Sequence, residues 1–204
     1  MNIPSLVPDP PLEVWPTSGQ VVIVDLEYTA WEGSLERGWS DPNEHREVIQ
    51  VGAVRLEATK FHVLEHFASF VRPKLNPILS DYIVRLTGIT NRLLLEHGIP
   101  YPDALAGFAT FAGPDGLILA NGSDGAVLRE NCAIHGIPEA FPAGRVLNIR
   151  AALVRATGLR AEELVSCELP ALLGVGPPPE RHSALLDANA IAIALAELRR
   201  RGTI

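Results

Sequence analysis

Two cysteines, one methionine and a 6% share of aromatic residues are all that these 204 residues hold of those types. Cys132 and Cys167 are too few for a disulfide framework and lack the C-x-x-C spacing of a structural zinc site. Both therefore read as plain core residues of a protein in a reducing cytoplasm. Positive charge is also short: 17 Lys and Arg stand against 24 Asp and Glu, a net charge of −7. That excludes a protein gripping nucleic acid by a broad basic face, so any nucleic-acid partner has to be held at a local site. Apolar runs such as Val21–Val24 and Gly116–Ala120 fall far short of the ~20 residues a membrane span needs, and no membrane partner is expected. The opening segment has no basic n-region and is broken by prolines, unlike a secretory signal or an Arg-rich transit peptide. It reads as an extended, poorly ordered arm over residues 1–18.

What is present suffices for a folded domain. A 47% hydrophobic and 20% charged composition supplies a sizeable core and excludes disorder as the main state. The length fits one domain, here residues 19–204. Gln20–Leu26 is a β-branched apolar run like a buried strand, Glu47–Leu56 partly alternates, and Phe61–Val71 continues in that vein after a turn near Ala58–Lys60. After Pro73 the spacing becomes helical over Ser80–Leu86, Asn91–His97 and Asp103–Phe111. Gly116–Ala120 reads as a strand, Asp124–His135 as a helix with Gly136 behind it, and Val146–Asn148 as a fifth strand before a helix through Thr157. The last helix, Ser183–Arg200, ends in three arginines where the helix dipole favours cations. The expected fold class is α/β with a mixed five-stranded sheet flanked by helices.

Chemistry concentrates at strand ends. Asp25 and Glu27 close the first strand, where residues two apart share a face, so two carboxylates point together. Like charges at close range oppose ionisation. A hard divalent cation removes that penalty, takes oxygen ligands and completes its shell with substrate phosphate. The pair alone is weak: with 8 Asp and 16 Glu, a D-x-E spacing turns up roughly 0.6 times by chance. Asp124 strengthens it by following the Gly116–Ala120 strand, at the sheet end where open α/β folds bind ligands. Asp187 opens the last helix, five positions after His182 in the preceding loop.

These residues carry a resemblance. Asp25-Leu26-Glu27-Tyr28-Thr29, EVIQVGAV (Glu47–Val54), LTGIT (Leu86–Thr90), Asp124 with Leu128, and His182 with Asp187 resemble, in order and spacing, the DEDDh 3′–5′ exonuclease superfamily. That superfamily includes RNase T, oligoribonuclease and the proofreading subunit of DNA polymerase III, and its fold is RNase H-like. The likeness spans about residues 20–200 and is greatest to the small-RNA and ribosomal-RNA trimming branch. One departure is Ser123, where the family usually has an aromatic or apolar residue. The resemblance implies that Asp25, Glu27, Asp124 and Asp187 hold two Mg²⁺ or Mn²⁺ ions, that His182 is the general base, and that Leu26, Glu27, Thr29, Leu86 and Ile89 contact the terminal nucleotide. The implied partner is a single-stranded RNA or DNA 3′ end, with RNA favoured and a homodimer as a candidate assembly. A non-catalytic binding module on the same fold is the alternative, since fold alone does not fix function.

Two features compete for attention. His62-Val63-Leu64-Glu65-His66 matches the inverted zinc-peptidase motif, which works only on a helix; the flanking Phe61, Val63, Phe67 and Phe70 read as a strand instead. Trp31 and Trp39 flank a polar loop near the site and suit either base stacking or a lid anchored by buried indoles.

Overall fold

A computed structural model of the protein describes residues 8–142, 144–177 and 182–204. In chain order its elements are β1 (Gln20–Tyr28), α1 (Ser34–Arg37), β2 (Val48–Glu57), β3 (His62–Arg72), α2 (Asp81–Thr87), α3 (Asn91–His97) and β4 (Ile99–Pro100). These are followed by α4 (Tyr101–Ala112), β5 (Leu117–Ala120), α5 (Asp124–His135), β6 (Val146–Asn148), α6 (Arg150–Thr157), α7 (Leu169–Leu172) and α8 (Ala184–Arg200). The strands form one six-stranded sheet in the order β4-β3-β2-β1-β5-β6. β1, β2 and β3 make an antiparallel meander, while β5 pairs parallel with β1 and β6 parallel with β5.

Alternation along β1 sorts its side chains onto two layers. Val21 and Ile23 enter the core under α8, with Ile191 and Leu195. Val22, Val24 and Leu26 face α4 and α5, with Phe108 and Val127. A third cluster, around Ile49, Ile83 and Leu94, holds α2 and α3 against the meander. Each polar face of the flanking helices is left to solvent, the arrangement that a sheet covered on both sides requires.

The expected five strands become six. The addition, Ile99–Pro100, pairs in parallel with Val71 and Arg72; two exposed residues, one a proline that cannot donate, carry no periodic signal. The N-terminal arm also differs from the loose segment expected. From Pro8 onward it docks on the sheet edge: the Asn148 amide donates to Pro10 O at 2.9 Å, the Leu12 amide donates back to Asn148 O at 2.9 Å, and Leu12 is buried. Asp9 accepts from the Ala126 amide at 3.2 Å and from Arg129 Nη1 at 2.8 Å. Gly125 makes room for it, since a Cβ there would sit 2.4 Å from Asp9 Oδ1.

Candidate metal centre

β2 seats the N-terminus of α8 against β1. Gly52 pairs with Asp25 and Gln50 with Glu27 across the β1–β2 ladder. A Cβ on Gly52 would lie 2.1 Å from Ala184 C and Leu185 N, so only glycine lets the helix start this close to the strand. Gln50 Oε1 then accepts the Ala184 amide at 3.0 Å, satisfying a donor that the first helical turn leaves open. Asp187 lies in that turn, its amide bonded to Ser183 O at 2.8 Å. The result is that oxygens of Asp25, Glu27 and Asp187 lie within 4.8 Å of one another.

Asp124 arrives from the other side. The described β1–β5 pairing ends at Ile23 and Leu119, and beyond it the Leu26 amide donates to Asp124 Oδ1 at 3.1 Å. This is the crevice where neighbouring parallel strands part, the usual ligand position in open sheets. Asp124 is close enough to act on the Asp25 charge but is not one of the three converging carboxylates.

The electrostatics are those of a site built for positive charge. Burial, with Asp124, Asp187 and Glu27 adding repulsion, holds the Asp25 carboxyl well above the usual range. Burial and the nearby Asp187 charge push Glu27 up to about 8. Burial likewise raises Asp124 to about 7, with Asp9 adding repulsion and backbone donors opposing. Among the described residues no lysine or arginine forms a salt bridge to any of the four; the one ion-pair partner is His182, whose Nδ1 is 3.5 Å from Asp187 Oδ2. That contact raises the imidazole above its ordinary value against the opposing effect of burial. Among the described residues Asp187 Oδ1 is buried without a hydrogen-bond partner. An orphaned carboxylate oxygen, an all-oxygen donor set and acidic charge that Arg150 and His182 offset only in part together fit a hard divalent cation.

Beside the centre lies a cleft of about 200 Å³ lined in part by Leu26, Glu27, Trp31, Trp39, Tyr82 and Leu86. Of the residues expected to contact substrate, Leu26, Glu27 and Leu86 line this cleft, whereas Thr29 and Ile89 are not in its lining. Thr29 is 1% exposed, and its hydroxyl donates to His45 O and accepts the Glu47 amide at 2.9 Å. It fastens the loop to the meander. Ile89 is buried in the cluster beneath the cleft. Trp39 is anchored, its Nε1 donating to Thr29 O at 3.1 Å, while Arg46 sits over its ring. His62 and His66 lie on β3, with His66 Nε2 3.1 Å from Asn189 Oδ1; a strand cannot present the helical zinc-peptidase motif.

Gln50 and Gly52 lie within the EVIQVGAV stretch that carries the resemblance, but nothing local to them shows that they seat the start of α8. Ser166, which opposes the upward shift of the Asp25 carboxyl, and Asn121, which donates to Ser166 Oγ at 3.1 Å, carry no local signal at all.

Comparison with known proteins agrees with this geometry. ERI1 exoribonuclease 2 of Xenopus laevis is 31% identical over 88 residues, 43% of this chain and 12% of the relative. The 3'-5' exonuclease eri1 of Schizosaccharomyces pombe is 39% identical over 69 residues, 34% of this chain and 21% of the relative. The chain thus corresponds to a small part of these relatives' length. Among solved structures, the nuclease domain of 3'hExo, a DEDDh family member bound to rAMP, superposes with a TM-score of 0.77 at 22% identity, covering 91% of this chain and 94% of that one. Cell-death related nuclease 4 gives 0.71 at 18% identity, covering 91% and 65%. At such identities the likeness is one of fold. The family model RNase_T, described as exonuclease, matches residues 22–195, a span that takes in all four carboxylates and His182, and the chain belongs to that exonuclease family.

Proposed function

We propose that the protein is a divalent-metal-dependent 3′–5′ exonuclease that releases mononucleotides from single-stranded nucleic acid, RNA in preference to DNA. The observation that carries this reading is the convergence of Asp25, Glu27 and Asp187 within 4.8 Å, with His182 against Asp187. Asp25, Glu27 and Asp187, with Asp124 alongside, would hold two Mg²⁺ or Mn²⁺ ions, which when bound lower the pKa of a water and neutralise charge on the scissile phosphate. His182 supplies the base. Its Nδ1 faces Asp187, so Nε2 is the nitrogen left to accept the proton of the attacking water. The apolar and indole wall of the cleft suits a nucleobase, and Glu27, in the same wall, is placed to accept from the hydroxyl of a terminal sugar. Preference for RNA is supported by relatives named as exoribonucleases.

The test is digestion of matched 5′-labelled RNA and DNA strands with Mg²⁺ or Mn²⁺. A ladder of single-nucleotide steps, faster on RNA and slowed by a 3′-phosphate, is expected. Cleavage of closed circular single strands at a comparable rate would replace the exonuclease with an endonuclease. A homodimer and a cytoplasmic location belong with this reading, the first checked by sedimentation; two free cysteines support the second. Among the described residues no helix is long and apolar enough to cross a membrane.

A further inference from the structure

We infer that Cys167, His182 and Asp187 form a second metal site, for a thiophilic divalent cation such as Zn²⁺, whose occupation disarms the first. Cys167 sits in the 3₁₀ turn Ser166–Glu168, and the turn is held in place by Asn121, whose Nδ2 donates to Leu164 O at 2.8 Å and to Ser166 Oγ. Its sulfur, a His182 nitrogen and an Asp187 oxygen lie within 4.8 Å of one another. Zinc bonds of about 2.3 Å to sulfur and 2.0–2.2 Å to nitrogen and oxygen place tetrahedral donors about 3.5 Å apart, so a contraction of about 1 Å closes the site. His182, on a half-exposed loop position, can make that movement. The second cysteine has no such company: Cys132 Sγ lies in the core, 3.7 Å from the Tyr101 hydroxyl.

Among the described residues Asp187 Oδ1 is buried and unpartnered, so the carboxylate that both donor sets share is short of one donor or cation. The two donor sets meet at this residue but differ in kind. Asp25, Glu27 and Asp187 offer oxygens only, which suits Mg²⁺ or Mn²⁺; Cys167, His182 and Asp187 offer sulfur, nitrogen and oxygen, which suits Zn²⁺. Zinc binding releases the thiol proton to solvent. It also takes a nitrogen of His182 and an oxygen of Asp187, so the protein cannot use that imidazole as a base or that carboxylate for the oxygen-only site. Solvent water fills the fourth position, as at other three-ligand zinc sites. The inhibitory consequence rests on the nuclease reading above; the binding does not.

The experiment uses the full chain, stripped of metal, as wild type, Cys167→Ser and Cys167→Ala. Zn²⁺ is titrated calorimetrically, Co²⁺ is followed by absorption, and Zn²⁺ is titrated into Mg²⁺-supported hydrolysis. Expected are a Zn²⁺ affinity at least about 10-fold weaker in both variants, a cobalt–thiolate charge-transfer band in wild type alone, and an inhibitory Zn²⁺ concentration at least about 10-fold higher in variants whose Mg²⁺-supported rate matches wild type. Equal Zn²⁺ affinity in all three proteins, or a wild-type cobalt spectrum without the thiolate band, overturns the site. If the protein hydrolyses no nucleic acid, the calorimetric and cobalt arms still decide the binding.

Discussion

Replacing Glu27 by glutamine should make the metal-free protein more stable at alkaline pH. Glu27 is held at about 8 in the fold, against 4.5 ordinarily. The folded state therefore keeps a proton that the unfolded chain has lost, and stability falls as pH rises from about 4.5 to about 8, then levels off. At 1.36 kcal/mol per pH unit the full displacement corresponds to roughly 5 kcal/mol. Side-chain relaxation away from Asp187 brings the working range to about 2–5 kcal/mol. Because pH 6 is already above the ordinary value, only about half of that loss falls between pH 6 and pH 8.5; with about 2–4 °C of Tm per kcal/mol for a chain of this size, wild type in chelator should melt roughly 2–10 °C lower near pH 8.5 than near pH 6 on account of Glu27. Glu27→Gln keeps the shape of the protonated acid and cannot ionise, so its Tm should fall less over that interval by the Glu27 share, the contributions of Asp25 and Asp124 remaining in both proteins. The two proteins should match below about pH 4.5 and diverge progressively up to about pH 8. Saturating Mg²⁺ should reverse their order, since the wild type gains a bound ion that the variant holds poorly. The assay is thermal unfolding by circular dichroism from about pH 5 to pH 9, with Glu36→Gln, at an exposed position of α1, as the control for one unit of net charge. Parallel Tm curves for wild type and Glu27→Gln would refute the claim that repulsion and burial at this site oppose folding.

Other outcomes follow from the same coordinates. Asp25→Asn and Asp187→Asn should abolish hydrolysis while metal-free Tm holds or rises; wild-type rates in Mg²⁺ from either would end the metal assignment. His182→Ala should lose about 10²-fold or more in rate with Mn²⁺ affinity nearly unchanged by calorimetry, and a lost binding step would make this residue a ligand instead. Because Asp187 raises the imidazole, the wild-type rate should climb with pH through values above the ordinary 6.5 and that limb should vanish in the variant. Gly52→Ala should cost about 1–3 kcal/mol, measured by urea unfolding, and should weaken Mn²⁺ binding, because α8 must retreat and takes Asp187 with it. Asp9→Ala removes the acceptor from the buried Ala126 amide and one acceptor from Arg129 and should cost about 1–3 kcal/mol; an unchanged urea midpoint would show that the Asp9 contact is dispensable.

Sequence by itself determined whatever follows from local period and order. Alternation at a strand end put Asp25 and Glu27 on one face, and the structure joins them with Asp187. The phenylalanine pattern around His62 and His66 identified a strand, and β3 is one. Helices α3 and α5 begin and end where glycine and spacing said, at Asn91–His97 and Asp124–His135. Tertiary structure alone decided what depends on distance through space. Nothing near Thr29 or Ile89 tells an outward side chain from one turned into the core, because both lie in stretches that pack from several sides. Gly52 matters for a helix more than 130 positions later, and Cys167 looks like any small core residue until α8 brings Asp187 and His182 beside it. The docked arm and the strand Ile99–Pro100 are likewise made by pairing with remote backbone. Periodicity records which face of an element is apolar; it holds no record of which other element that face will meet.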